Sequence, residues 1–210
     1  NSTDIMQLGT VWLTEDYEVP EFTIKKEDIV IDIGAHIGLF SLFASQYCKN
    51  GKIFSYEPIK ENCNILKENI ELNKIKNIIS FNSAVSNQTN KLKIFTNSDD
   101  SAHSIFESEK KFIEVDSTTI KSIFDKNKIE NCNLLKFDCE GAEYQIIESI
   151  PKEYFFKIEK MIIEYHLANE KPEMYKKLIE NLKNNSFEIK IKKLSDSMGM
   201  IYAINKTKFD

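Results

Sequence analysis

Short β-branched or aromatic runs recur along the chain, most of them followed by a stretch whose apolar residues return at steps of three and four. The runs are Ile29 to Ile33, Lys52 to Tyr56, Ile78 to Asn82, Leu134 to Phe137 and Met161 to Glu164. The first, Ile29 to Ile33, lacks alternation, as a central strand covered on both faces does. The stretches that follow carry Leu39, Leu42, Phe43 and Tyr47, then Ile59, Cys63, Leu66 and Ile70, then Ile146, Ile147 and Ile150, then Met174, Leu178 and Leu182. That spacing is one face of a helix. Strands alternating with helices predict an α/β fold on a largely parallel sheet.

Local punctuation agrees. Gly51 marks a return turn, and Pro58 suits the first turn of the second helix, where its missing N–H has no partner to lose. Thr118 or Thr119 is placed to cap a helix carrying Ile120, Ile123 and Phe124. Leu92 to Phe95 and Phe112 to Val115 read as an antiparallel ribbon beside the main sheet, with Asn97 to Lys110 as a polar loop between them. Phe187 to Lys193 and Met200 to Ile204, joined by the turn-like Ser195 to Gly199, read as an antiparallel pair at a sheet edge.

Length and charge narrow the functions. A chain of 210 residues fits one domain; we read residues 1–28 as an N-terminal extension packing on the core and residues 29–210 as the domain itself. The net charge of −5 offers no footprint for a phosphate backbone, so a nucleic-acid partner is not expected. Every basic residue is Lys, so no guanidinium fork serves phosphoryl transfer. Cys48, Cys63, Cys132 and Cys139 form no C-x-x-C pair, which points to a reducing, cytoplasmic setting. No apolar run reaches membrane-spanning length, and no membrane partner is expected.

In open α/β sheets, ligands lie outside the carboxyl ends of the strands. Here those ends are polar: Asp32 to Gly38, Glu57-Pro58, Asn82-Ser83-Ala84, Asp138 and Glu140, and Glu164 with His166. The first is a D-x-G-x-x-x-G turn, in which Gly34 allows close backbone approach and Gly38 close packing of the helix. An acidic side chain at this strand end suits a positively charged ligand group, such as an amino acid's ammonium, better than a pyrophosphate. Glu57 closes the second strand, 25 positions after Asp32, where a carboxylate can accept both hydroxyls of a ribose. A plain capped turn and a solvated strand-end glutamate are the bland alternatives.

The segments VIDIGAHIGLFSLFAS (30–45), FSYEP (54–58), FNSAVS (81–86) and LLKFDCEGAEYQIIESI (134–150) resemble the FkbM-type branch of class I S-adenosylmethionine-dependent methyltransferases. The resemblance covers roughly residues 30–166. It implies a Rossmann-like seven-stranded sheet, mostly parallel with the last strand antiparallel and helices on both faces. It further implies S-adenosylmethionine as cofactor, with Asp32, Gly34, Ala35 and Gly38 shaping the methionine side, Glu57 on the ribose, and Ser83 and Ala84 near the adenine.

Methyl transfer from a sulfonium is an in-line displacement, so holding donor and acceptor in line supplies most of the acceleration. A hydroxyl acceptor must also lose its proton. Asp138, Glu140 and His166 are the catalytic candidates, with Glu143 as a further base. Asp138, Glu140 and Glu164 are oxygen ligands of the kind Mg²⁺ takes, but no ligand spacing requires a metal and none is expected. His103, between Ser101 and Ser104, reads either as an acceptor contact or as part of a solvated loop. The expected activity is O-methylation of a hydroxyl on a small metabolite or a glycan sugar. A nicotinamide-dependent oxidoreductase is the rival enzyme class, disfavoured because the turn lacks the first glycine of G-x-G-x-x-G; a non-catalytic module keeping the same fold is the other alternative. The acceptor and the oligomeric state are not legible.

Overall fold

The structure, a computed structural model, describes residues 19–95 and 112–208. The expected loop with His103, and residues 1–18 of the expected extension, lie outside the described residues. Among the described residues, ten strands and six α-helices follow in chain order: β1 (Ile29–Ile33), α1 (Leu39–Tyr47), β2 (Lys52–Tyr56), α2 (Lys60–Leu72), β3 (Ile78–Phe81), β4 (Ala84–Val85), β5 (Lys91–Phe95), β6 (Phe112–Thr118), α3 (Ile120–Asn127), β7 (Cys132–Asp138), α4 (Glu143–Glu148), α5 (Lys152–Phe155), β8 (Ile158–Tyr165), α6 (Pro172–Asn184), β9 (Phe187–Lys193) and β10 (Gly199–Asn205).

Seven strands form one sheet in the order β3-β2-β1-β7-β8-β10-β9. All neighbours pair in parallel except β10, which runs antiparallel between β8 and β9. This is the mostly parallel sheet with an inserted antiparallel last strand that the sequence led us to expect. Strand order reverses between β1 and β7, which opens a crevice beyond their carboxyl ends.

Alternation along the central strands divides the core. Ile31, Ile33, Leu135, Phe137 and Ile163 face a cluster completed by α3, α4 and α6, through Phe124, Ile147 and Leu182. Val30, Ile53, Leu134 and Ile162 face the other side, against Phe40 and Phe43 of α1. Phe22, within the described part of the expected extension, joins this second cluster edge-on to Tyr202 at 5.6 Å. Burying side chains of this size contributes about 1.5–3 kcal/mol each.

The ribbon forms as expected, β5 pairing antiparallel with β6, but as part of a separate three-stranded sheet in which β4 also pairs with β6. Thr119, not Thr118, caps α3: its hydroxyl oxygen accepts the Ser122 N–H at 3.1 Å. Pro58 falls outside α2, which begins at Lys60 with Ile59 as its cap residue. The reason is Glu57, whose carboxylate takes the Ile59 N–H at 2.8 Å and so does the work of a capping side chain from two residues upstream. Among the described residues, no helix is long and apolar enough to cross a membrane.

Candidate functional site

A hollow of about 750 Å³, open to solvent, lies beyond the carboxyl ends of β1, β2 and β7. Gly34, His36, Glu57, Asn62, Asp138 and Glu140 supply its polar lining, and Tyr56, Ile59, Val85 and Ile94 its apolar walls. Of the expected cofactor residues, Gly34, Glu57 and Ala84 line it. Asp32, Ala35, Gly38 and Ser83 are not among its lining.

Asp32 lies beneath the hollow. It is fully buried on the α1 face of β1, where the register sets it opposite Ser55 on one side and Lys136 on the other. One carboxylate oxygen accepts the Ser41 hydroxyl at 2.6 Å, and Ser41 in turn contacts Ser55 at 2.6 Å. The other oxygen faces Lys136 Nζ at 3.2 Å. Lys136 also donates to the Gly34 carbonyl at 3.3 Å and reaches Asp138 at 3.5 Å, so one ammonium ties the first turn to the end of β7. Asp32 thus has both oxygens engaged inside the protein and lies outside the lining of the hollow.

The turn itself is tightly packed. Gly34 has φ +74°, and a Cβ there would stand 1.7 Å from the Asp138 carbonyl oxygen, so the two strand ends touch only because this residue has no side chain. Gly38, with φ +92°, caps α1 and packs against Leu66. The Gly34 and Ala35 N–H groups both donate to the Tyr56 carbonyl, fastening the turn to β2. Ser83 turns its hydroxyl to the carbonyls of Ala84 and Asp116, holding the second sheet rather than facing the hollow.

Glu57 is 4% exposed, and each of its oxygens already holds a backbone N–H, that of His36 at 2.8 Å and that of Ile59 at 2.8 Å. Burial pushes its carboxyl up to about 7, with those two hydrogen bonds opposing the rise. Asn82 braces the same segment by donating to the carbonyls of Glu57 and Pro58.

On the far rim, β7 and β8 end side by side, with Asp138 paired to Glu164. Glu140, in a left-handed turn at φ 52°, and His166, just past β8, complete the cluster. His166 Nε2 lies 3.7 Å from both Glu140 and Glu164, and Nδ1 lies 3.6 Å from Glu143. Burial lowers the affinity of His166 for a proton, but Glu143, Glu140 and Asp138 outweigh it and raise the imidazole to about 9. An imidazolium has no lone pair to take a proton, so the carboxylates around His166 favour its charged form over the base form that would make it one of the candidate bases. Burial, with Asp138 close by, pushes Glu164 up to about 7, and Glu140 is also raised, first by burial. Glu143 is wholly buried and accepts the Gly141 and His166 N–H groups, both at 2.8 Å, so it shapes the turn instead of facing the hollow.

Several lining residues escaped the sequence reading. Leu92 and Ile94 come from β5, and their alternation with Lys91 and Lys93 is the signal that one face of this strand is covered. Asn62 and Tyr56 carried no such signal.

The sheet order, with its antiparallel strand next to the far edge, and the hollow at the strand-order reversal define a Rossmann-like methyltransferase. Residues 32–189 match the family model described as the methyltransferase FkbM domain, and the chain belongs to that family. It is 22% identical over 180 residues to Methyltransferase 1 of Beauveria bassiana (strain ARSEF 2860), covering 73% of this chain and 70% of that one. Among solved structures, the FkbM methyltransferase of Methylobacillus flagellatus KT superposes with a TM-score of 0.62 at 15% identity. That match covers 93% of this chain but 47% of the other, so this chain spans about half its length. Aeropyrum pernix fibrillarin, solved with S-adenosyl-L-methionine bound, superposes with a TM-score of 0.56 at 16% identity, over 94% and 74% of the two chains. Likenesses at this identity establish the fold.

Proposed function

We propose that the protein binds S-adenosylmethionine in the hollow and transfers its methyl group to a hydroxyl of a small metabolite or glycan sugar. The observation that carries the reading is Glu57, a buried carboxylate at the end of β2 that lines a cavity with apolar walls. This donor set fits the cofactor. Glu57 accepts the ribose hydroxyls, and Ile59, Ala84, Val85 and Ile94 sandwich the adenine. The Gly34 turn and Asp138 receive the methionine end, whose ammonium a carboxylate satisfies. Asp32, Ala35 and Gly38 act by shaping the turn, and Ser83 by fixing the segment that carries Ala84.

At the rim, Glu140 is the group we assign to accept the hydroxyl's proton, since its raised carboxyl is a stronger base than an ordinary glutamate. His166, as imidazolium, orients Glu140. When bound, S-adenosylmethionine supplies an electrophilic methyl group. The unpaired thiols of Cys48, Cys63, Cys132 and Cys139 support the cytoplasm as compartment.

Calorimetry tests the reading. S-adenosylmethionine is expected to bind at one site, with affinity falling at least tenfold in Glu57→Ala, and NADH is expected not to bind. Equal affinity in wild type and variant refutes it.

A further inference from the structure

Asp138, Glu140 and His166 each offer one ligand atom, and these three atoms lie within 4.8 Å of one another. Two are fixed by the sheet, since β7 delivers Asp138 and β8 leads directly into His166. The third is fixed by the left-handed turn at Glu140 and the closing Glu143 hydrogen bonds. Lys136 Nζ stands 3.5 Å from Asp138 on one side of the cluster, and a cation bound among the carboxylates would offset their mutual repulsion further.

The His166 side chain points to the identity of that cation. It is nine-tenths buried, and Nδ1 has no hydrogen-bond acceptor within range. Nε2 lies 3.7 Å from a carboxylate oxygen of Glu140 and an equal distance from one of Glu164, beyond the reach of a hydrogen bond. These spacings are wider than those around one bound ion, so the side chains must draw together to share it. With ligand bonds of about 2.1 Å, neighbouring ligand atoms of one ion stand roughly 3.0–3.6 Å apart. Behind the ring, Glu143 lies 3.6 Å from Nδ1, as the carboxylate behind a metal-bound imidazole does, fixing which nitrogen keeps its proton.

We propose that Asp138, Glu140 and His166 form a binding site for a divalent transition ion, with Glu164 as a fourth donor beside it. One imidazole nitrogen among carboxylate oxygens suits Mn²⁺ or Zn²⁺ better than Mg²⁺ or Ca²⁺, which take oxygen alone. The ion displaces the Nε2 proton of His166 and leaves Nδ1–H toward Glu143, so the imidazolium of His166 and the base role of Glu140 hold for the ion-free site alone. Its role rests on the proposed function, because Asp138 and Glu140 also line the hollow and so place the ion where the acceptor oxygen is held. Ion binding itself does not depend on that reading.

The test uses the whole chain freed of metal with a chelator and titrated with Mn²⁺, followed by electron paramagnetic resonance. We expect one site of micromolar affinity, with nitrogen coupling from an imidazole in the spin-echo spectrum of bound Mn²⁺, and at least tenfold weaker binding in Glu140→Gln and His166→Asn. Absence of binding below millimolar Mn²⁺ overturns the proposal, as does bound Mn²⁺ without nitrogen coupling in the wild-type protein, a result no misfolded variant can mimic. Calorimetry with S-adenosylmethionine on the same sample separates the two readings: cofactor binding without Mn²⁺ binding defeats the ion site alone, and the reverse defeats the proposed function alone.

Discussion

Lys136 Nζ lies 3.2 Å from Asp32 Oδ1 in a place that water does not reach, their side chains being 4% and 0% exposed. The pairing follows from sheet register, since β1 and β7 set these two positions side by side. A buried pair of this kind adds little over an apolar pair, but removing one partner strands the other charge at a cost of about 3–5 kcal/mol. We therefore expect Lys136→Met to lower the unfolding free energy by about that much in urea. Asp32→Asn/Lys136→Met should lose less than Lys136→Met alone, because Asn still accepts the Ser41 hydroxyl.

The two glycines of the first turn should respond unequally. At Gly38 an added Cβ meets the Leu66 Cδ1 at 2.1 Å, the far end of a side chain that can rotate away. Gly38→Ala should then cost about 1–3 kcal/mol, from its positive φ and the repacking of Leu66. At Gly34 the obstacle is backbone, the Asp138 carbonyl, so β1 and β7 must part. Gly34→Ala should melt at a lower temperature than Gly38→Ala and lose cofactor binding in calorimetry.

Glu57 makes stability depend on pH. Its carboxyl is raised to about 7 from an ordinary 4.5. The folded state thus holds a proton the unfolded chain releases, a contribution fully present below pH 4.5 and lost as pH rises through 7. Relative to Glu57→Gln, the wild-type protein should lose up to about 3 kcal/mol of stability between pH 4.5 and 8. Denaturation series at several pH values will check the trend, and a constant difference would refute it.

Glu143 holds the Gly141 and His166 N–H groups with its two oxygens. Gln keeps one acceptor oxygen, so Glu143→Gln should leave one buried N–H unpaired and cost about 1–3 kcal/mol. Hydrogen exchange at the amides of Gly141 and His166 should quicken in the same variant.

The sheet was legible because its central strands are short apolar runs, as at Ile29–Ile33, and its helices carry plain three- and four-step stripes. The hairpin of β9 and β10 and the ribbon of β5 and β6 were legible from turn residues and spacing. The role of Asp32 was not. Seen along the chain, it is an acid at a strand end, and only its register with Lys136, 104 residues away, shows that its charge is already spent inside the protein. His166 misled for the same reason: its charge is set by Glu143 and Glu140, which lie at the start of α4 and in the turn after β7. Ser83 was placed near the adenine by the family resemblance; in the structure its hydroxyl turns to the carbonyls of Ala84 and Asp116 in the second sheet, which local patterning does not reveal.

The amides of His36 and Ile59 that grip Glu57 belong to the loops leading into α1 and α2, so that one carboxylate staples two helix entrances together before any ligand arrives. Rigidity of this sort is settled when the polypeptide folds, and an incoming nucleoside need not spend its own affinity on arranging the receptor. Changes at either entrance that spare every ligand contact would accordingly still slow capture and hasten escape.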